Sequence, residues 1–200
     1  MLICGLTGTT GSGKGYVCDL LGRSDFEIID TDKVYHDMIS HKSECTLALI
    51  SEFGDRIINS DGSVNRKELG KIVFSSKEKL ERLNKITHRL ILDKTRTVIE
   101  NSDKKIAIID APQLFESGFD KECDLIICVC ASRQQRIDRI KKRDNIDDEK
   151  ALARINSQLP DEYLMSKSDY ILINDDDSNI EAQTENLKKK LLLLSEENKQ

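Results

Sequence analysis

A glycine-rich segment near the amino terminus constrains the fold of this chain more than any other feature. Residues 8–15 read Gly-Thr-Thr-Gly-Ser-Gly-Lys-Gly and closely follow the apolar run Leu2–Leu6. Between a strand and a helix, the pattern G-x-x-x-x-G-K lets backbone N–H groups converge on phosphate oxygens, because glycine has no Cβ to clash. The helix that follows adds the positive end of its dipole. The segment therefore predicts a phosphate-binding loop (P-loop) for ATP, with Lys14 as a mobile charge for the β- and γ-phosphates.

This loop defines the predicted nucleotide site, apart from one unusual position. A glycine turn without a ligand is the alternative, and four glycines in register with a lysine disfavour it. Gly15 stands where a Ser or Thr hydroxyl usually holds Mg²⁺. Asp110 follows the apolar run Ile106–Ile109, at the position of a metal-reaching carboxylate. We expect either that Asp110 holds Mg²⁺ through water or that the metal site is weakened. The residues expected to bind ATP in this segment are Gly8, Gly11, Ser12, Gly13, Lys14, Gly15 and Tyr16.

Short apolar runs predict the strands of a parallel sheet. The segments between these runs have helical periodicity, as βαβ crossovers require. The sequence therefore predicts an α/β fold, with a doubly wound five-stranded parallel sheet of the P-loop NTPase type. The predicted strands are Leu2–Leu6, Phe26–Ile29, Ile106–Ile109, Leu125–Val129 and Tyr170–Ile173.

Two segments are longer than a crossover between strands needs. Roughly 75 residues separate the second and third strands, and apolar residues recur in them at helical spacing, from Leu80 to Ile91. We predict that residues 34–100 form a helical insertion and that residues 141–165 form a second, charged helical insertion. A C-terminal helix is expected from Ser178. The remaining core would comprise residues 1–33, 101–140 and 166–200.

Polar residues after the second and fourth strands are further candidates for the site. Asp30 and Asp32 follow the second strand, where ligands bind in open α/β sheets. Asp32 is placed to accept the proton of an attacking hydroxyl, and helix capping is the alternative for both aspartates. Four arginines at three-residue and four-residue spacing would share one helical face, turned either to solvent or to the triphosphate as a cationic clamp. They are Arg133, Arg136, Arg139 and Arg143.

Composition argues against several classes of protein. The formal net charge of −5 disfavours a nucleic-acid partner, which usually requires a basic excess. The six cysteines show no C-x-x-C spacing, so we expect neither a zinc site nor disulfides. This cysteine usage indicates a reducing cytoplasm. The apolar runs are far shorter than a membrane span, and the amino terminus does not read as a signal peptide. We therefore expect a cytoplasmic protein without membrane association.

The order of motifs along the chain resembles one family, the dephospho-coenzyme A (dephospho-CoA) kinases. The resemblance covers essentially the whole chain, and the ordered set is much more specific than the P-loop alone. After the P-loop, the matching residues are Asp30 and Asp32; Asp61-Gly62 with Arg66; Leu83, Ile86 and His88; Pro112-Gln113-Leu114-Phe115-Glu116; Arg139; Arg143-Asp144; Arg154; Gln158; and Ser168-Asp169-Tyr170 leading to Asn174.

This resemblance implies transfer of the γ-phosphate of ATP to the ribose 3′-hydroxyl of dephospho-CoA, with Mg²⁺ as cofactor. It also implies a P-loop core, a helical substrate-binding domain over 34–100 and a lid over 141–165. Two alternatives stay open: another small-molecule P-loop kinase, or a catalytically weak nucleotide-binding protein, which only Gly15 supports. The implied roles are catalysis for Asp32, Lys14 and Arg139, ATP binding for Arg139 and Arg143, and substrate binding for Asp32, Arg66, His88 and Leu114.

Overall fold

Five parallel strands form one sheet in the computed structural model of the chain, which describes residues 1–22 and 26–197. The order across the sheet is β2-β3-β1-β4-β5. All five predicted strands are confirmed; three of them extend one residue further at the carboxyl end, and β2 is shifted by one residue at both ends. The strands are β1 (Leu2–Thr7), β2 (Glu27–Asp30), β3 (Ile106–Asp110), β4 (Leu125–Cys130) and β5 (Tyr170–Ile173).

α-Helices lie in every connection between the strands except that from β3 to β4, which contains the 3₁₀ helix Phe119–Glu122. The C-terminal helix starts two residues later than the predicted Ser178, because the side chain of Asn179 accepts the hydrogen bond from Ala182 N. Parts of two predicted core segments, residues 23–25 of 1–33 and residues 198–200 of 166–200, lie outside the described residues. The helices are α1 (Lys14–Gly22), α2 (Thr31–Ile39), α3 (Glu44–Phe53), α4 (Arg66–Val73), α5 (Lys77–Asn101), α6 (Arg133–Asp144), α7 (Asp148–Asn156), α8 (Asp161–Ser166) and α9 (Ile180–Glu197).

Helices cover both faces of the sheet, as a doubly wound fold requires. On one face, alternate residues of β1 such as Cys4 and Leu6 pack with Leu21 of α1 and Leu191 of α9. On the other face, Cys128 and Cys130 of β4 pack against Leu164 of α8. The predicted doubly wound arrangement is confirmed, and it places the β1–α1 loop at the carboxyl edge of the sheet.

The chain divides into two compact units, residues 1–29 with 102–200, and residues 30–101. The second unit has its own apolar core, in which Ile39, Leu49, Leu69 and Leu90 are buried. Its longest helix, α5, packs against α2, α3 and α4. No helix within the described ranges combines the length and apolar character needed to cross a membrane.

Candidate active site

The loop between β1 and α1 requires glycine at two positions. Gly11 and Gly13 have φ angles of +82° and +89°, a region that side chains with a Cβ rarely adopt. A Cβ on Gly11 would lie 2.8 Å from the carbonyl oxygen of Arg136, and one on Gly13 would lie 2.0 Å from Nδ2 of Asn174. The loop is therefore shaped both by its own backbone and by close contact with neighbouring elements.

This loop lines a cavity of about 520 Å³ in the first unit. The helix α1 begins at Lys14, so its positive amino-terminal end faces the loop. Three cationic side chains join the loop there, and this combination favours a highly charged anion. The lining residues are Gly8, Thr9, Thr10, Gly11, Gly13, Lys14, Gly15, Pro112, Arg139, Arg143 and Gln158.

Two of the residues predicted for ATP binding lie outside this lining. Ser12 is fully buried, and its Oγ has no hydrogen-bond partner among the residues that the structure describes. Tyr16 is 44% exposed, and its hydroxyl donates to Glu181 of α9 at 2.6 Å. This hydrogen bond lowers the pKa of the Glu181 carboxyl. Tyr16 is thus directed towards α9, whereas the other predicted loop residues converge on the cavity.

Lys14 forms an ion pair with Asp110, the last residue of β3. Asp110 also contacts Cys18, and burial together with the Asp110 carboxylate raises the pKa of the Cys18 thiol to about 12. The thiol therefore stays protonated and is a poor nucleophile. The ion pair keeps the ammonium group beside the glycine loop.

Gly15 opens onto free space. A Cβ built on this residue has no atom within 4 Å, so the backbone there leaves room for a larger side chain. Within the described part of the chain, no three His, Cys, Asp or Glu side chains are grouped so as to hold a metal ion. The metal-binding role that the sequence suggests for Asp110 stays a prediction.

A buried network of hydrogen bonds, which the sequence did not predict, holds the loop in place. Arg136 is 1% exposed; its Nε donates to the carbonyl oxygen of Thr10 at 3.0 Å, and its guanidinium pairs with Asp161. The other carboxylate oxygen of Asp161 accepts from Thr9 Oγ1 at 2.7 Å. Gln158 Oε1 accepts from Thr10 N at 2.7 Å. The Thr9-Thr10 pair is therefore held by residues about 130 to 150 positions away in the sequence.

The other three arginines of the α6 row have different surroundings. Arg139 lines the cavity and donates to the carbonyl oxygen of Asn174 at 2.8 Å. Arg143 lines the same cavity and forms an ion pair with Asp144. Arg133 is exposed and turns towards Asn156. The row therefore supplies two cavity cations, one buried support and one surface residue.

A second cavity, of about 730 Å³, lies within the unit 30–101. Asp30 caps α2, since its side chain accepts from Lys33 N at 3.0 Å, whereas Asp32 lines the cavity. The capping alternative therefore holds for Asp30. Arg66, the first residue of α4, lines the same cavity and is the lining residue that comes from another helix. The lining residues are Asp32, Lys33, Tyr35, His36, Asp37, Ser40 and Arg66.

Two predicted substrate-binding residues line neither cavity. His88 lies on α5 in the second unit, and partial burial lowers the pKa of its imidazole. Leu114 is fully buried in the first unit and packs against Gly5 of β1. The position of Leu114 favours a packing role over contact with a ligand.

The parallel sheet, the glycine loop at the start of α1 and the cations around its cavity define a P-loop kinase. A family model described as dephospho-CoA kinase matches residues 2–180. The chain belongs to the dephospho-CoA kinase family.

Individual relatives agree with this assignment. A dephospho-CoA kinase from Fusobacterium nucleatum is 40% identical over 181 residues, which cover 90% of this chain and 92% of the relative. A dephospho-CoA kinase from Lactobacillus acidophilus is 34% identical over 198 residues, which cover 98% of this chain and 98% of the relative. The fold is similar to a crystal structure from Thermus thermophilus, with a TM-score of 0.80 at 24% identity over 96% of each chain.

Proposed function

We propose that this protein transfers the γ-phosphate of ATP to the ribose 3′-hydroxyl of dephospho-CoA, giving CoA and ADP. Family membership supports this reaction. The observation that carries the proposal is the cavity where Lys14, Arg139 and Arg143 meet a glycine loop. A nucleoside triphosphate has the high negative charge that such a cavity attracts, so ATP is the donor that the site fits.

Lys14 is proposed to exchange partners when ATP binds. In this structure it pairs with Asp110, and the phosphate oxygens would compete for its ammonium group. Lysines of P-loops contact the β- and γ-phosphates, and we assign that role to Lys14. Arg139, whose guanidinium is held by Asn174, would neutralise charge on the phosphoryl group during transfer. Arg143 would bind ATP from the same side.

Mg²⁺ is the proposed metal cofactor, with a small set of protein ligands. In kinases Mg²⁺ keeps several waters and takes one or two carboxylates together with phosphate oxygens. Asp110 supplies a carboxylate beside Lys14, whereas Gly15 supplies no side-chain oxygen. These residues fit a water-rich site in which Asp110 acts through water. When bound, Mg²⁺ neutralises charge on the β- and γ-phosphate oxygens.

The helical segment 34–100 is proposed as the dephospho-CoA-binding domain, with Asp32 just before it. Asp32 lines the second cavity and would orient the 3′-hydroxyl and accept its proton. Arg66, on another wall, carries a guanidinium suited to the substrate's phosphate groups. Burial favours a neutral His88, which would act as a hydrogen-bonding group. Leu114 would contribute indirectly, through packing.

The lid and the cellular location are also proposals. Residues 141–165 are proposed as the lid; they include α7 and most of α8. All six cysteines are free, which supports a reducing compartment, and we propose that the protein acts in the cytoplasm. Its acidic net charge of −5 supports the absence of a nucleic-acid partner.

A panel of acceptors tests the proposed substrate. ADP release is measured with ATP, Mg²⁺ and, in turn, dephospho-CoA, AMP, shikimate or no acceptor. We expect dephospho-CoA to accelerate ADP release by about a hundredfold or more over the reaction without acceptor. Preference for AMP or shikimate would identify another small-molecule kinase. Measurable ATP binding without stimulation by any acceptor would identify a nucleotide-binding protein that does not catalyse transfer.

A further inference from the structure

Gln158 connects the α7–α8 segment to the phosphate cavity. It lines that cavity, and its side-chain carbonyl accepts a hydrogen bond from Thr10 N at 2.7 Å. Because a backbone N–H only donates, the carbonyl end of the amide must face the loop. The NH₂ end is then directed away from Thr10 N, and it makes no hydrogen bond to the residues that the structure describes.

Neighbouring contacts hold this amide in place. Asp161, three residues further along the chain, accepts from Thr9 Oγ1 at 2.7 Å and pairs with the buried Arg136. Arg136 in turn donates to the carbonyl oxygen of Thr10. Thr10 is therefore bound through both its N–H and its C=O group. The segment from Gln158 to Asp161 cannot move from the loop without breaking the hydrogen bonds to Thr9 and Thr10, and the bond to the Asp161 carboxylate is charge-assisted.

The polarity and position of the Gln158 amide indicate what it would contact. The charged side chains that line the cavity are all cations, and the loop adds backbone N–H groups and two threonines. The NH₂ group of Gln158 therefore adds a further donor to a site for anions. The backbone from Gly11 to Gly15 surrounds the start of α1, where P-loops cradle the inner phosphates. Gln158 reaches the loop at Thr10, before that cradle begins. This position suits the terminal phosphate.

We propose that Gln158 donates a hydrogen bond from its NH₂ group to the γ-phosphate of ATP. Asp161 and Arg136 act as positioning residues, because they fix the loop segment on which Gln158 is held. This inference rests on the proposed function, in which ATP is the phosphoryl donor. The contact exists with ATP and is lost with ADP, so the two nucleotides report it without any acceptor being present.

Calorimetric titration of the protein with ATP and with ADP, each with Mg²⁺, tests this contact. In Gln158→Ala we expect the Kd for ATP to rise by about tenfold, as for loss of a hydrogen bond to a charged group. The Kd for ADP should stay within about twofold, which also shows that the variant is folded. Gln134→Ala, an exposed glutamine on α6, is the matched control and should change neither constant.

Gln158→Glu separates ligand contact from support of the loop. A glutamate still accepts from Thr10 N, but it has no NH₂ group and carries a negative charge. We expect this variant to weaken ATP binding at least as much as Gln158→Ala does, and to weaken ADP binding less. The proposal would be overturned if Gln158→Ala left the ratio of the Kd for ATP to the Kd for ADP unchanged, or if it bound ATP more tightly. Because no acceptor is used, failure to form CoA would count against the proposed function and not against this contact.

Discussion

The phosphate cavity and the cavity lined by Asp32 in the second unit are built in different ways. The phosphate cavity takes its lining from the loop 8–15 and from residues far along the chain, Pro112, Arg139, Arg143 and Gln158. The cavity of the second unit is lined by residues of α2 and by Ser40, which follows that helix, with Arg66 as the single addition. One site therefore depends on contacts between distant segments, and the other depends largely on one helix.

This difference predicts how substitutions act. In the phosphate cavity the proposed contacts to ATP come from backbone N–H groups of the loop as well as from side chains, and Arg136 holds the loop through the carbonyl oxygen of Thr10. Loss of such a support should lower stability and ATP affinity together. In the second cavity the candidate groups are side chains on α2, so their loss should alter catalysis without unfolding the protein.

Among substitutions in the cavity of the second unit, the largest effect is expected for Asp32→Asn. If Asp32 accepts the proton of the acceptor hydroxyl, turnover should fall by about a hundredfold, while the Kd for ATP and the thermal midpoint stay nearly unchanged. Steady-state kinetics and calorimetry measure the two effects, and Asp55→Asn, at an exposed position of the same unit, serves as control. An unchanged rate would remove Asp32 from catalysis. A large loss of stability would contradict the separation between the two cavities.

A smaller effect is expected for Arg136→Met, on stability instead of turnover. The change keeps an apolar side chain in the buried position but leaves Asp161 without its cation. Because the Asp161 side chain is 30% exposed, water compensates in part, and we expect unfolding to become easier by about 2 kcal/mol. Urea denaturation measures this loss, with Arg133→Met on the same helix as an exposed control. Equal effects of the two substitutions would contradict the supporting role of Arg136.

A change of only a few-fold is expected for Gly15→Ser. No atom lies within 4 Å of the added Cβ, so the hydroxyl enters without a clash, at the position where P-loops bind Mg²⁺. We expect activity to be kept or raised and the Mg²⁺ concentration for half-maximal activity to fall by about threefold. Gly70→Ser, in α4 of the second unit, controls for the removal of a helical glycine. A large loss of activity would show that the loop needs glycine at position 15.

The smallest expected effect is on the pH dependence of stability through His88. Burial lowers the pKa of this imidazole below its ordinary value of 6.5, so the unfolded chain binds the proton more readily. The stability is therefore present above about pH 6.5 and is lost as the pH falls through the folded pKa. His88→Gln should reduce this loss between about pH 7.5 and about pH 5.5 in urea denaturation. The exposed His41→Gln should retain the loss, and an identical pH profile for both variants would contradict the assignment.

The sequence predicts local features of this structure well. Strand positions followed from apolar runs, because the central strands β1, β3 and β4 are largely buried on both faces of a parallel sheet. The P-loop followed from glycine spacing, because a tight turn around phosphate has few solutions. The start of α9 was wrong by two residues, since Ser178 and Asn179 are both good N-caps and only the observed bond from Ala182 N decides between them.

Long-range partners could not be read from the sequence. The spacing of the α6 arginines indicates that they share a side of one helix, but it does not say which segment lies opposite. Arg136 is buried because Thr10 and Asp161, from two other parts of the chain, meet it. The contact between Gln158 and Thr10 is of the same kind. Such pairings depend on how the helices pack, which is a property of the whole fold.

The most direct test of the account is mass-spectrometric detection of CoA after incubation of the protein with ATP, Mg²⁺ and dephospho-CoA. We predict that CoA forms in step with ADP, one molecule of each per transfer. Formation should fall by about a thousandfold or more in Lys14→Ala, whose loop has lost its phosphate-binding charge. No CoA despite measurable ATP binding, or equal CoA formation by the Lys14→Ala variant, would contradict the central claim.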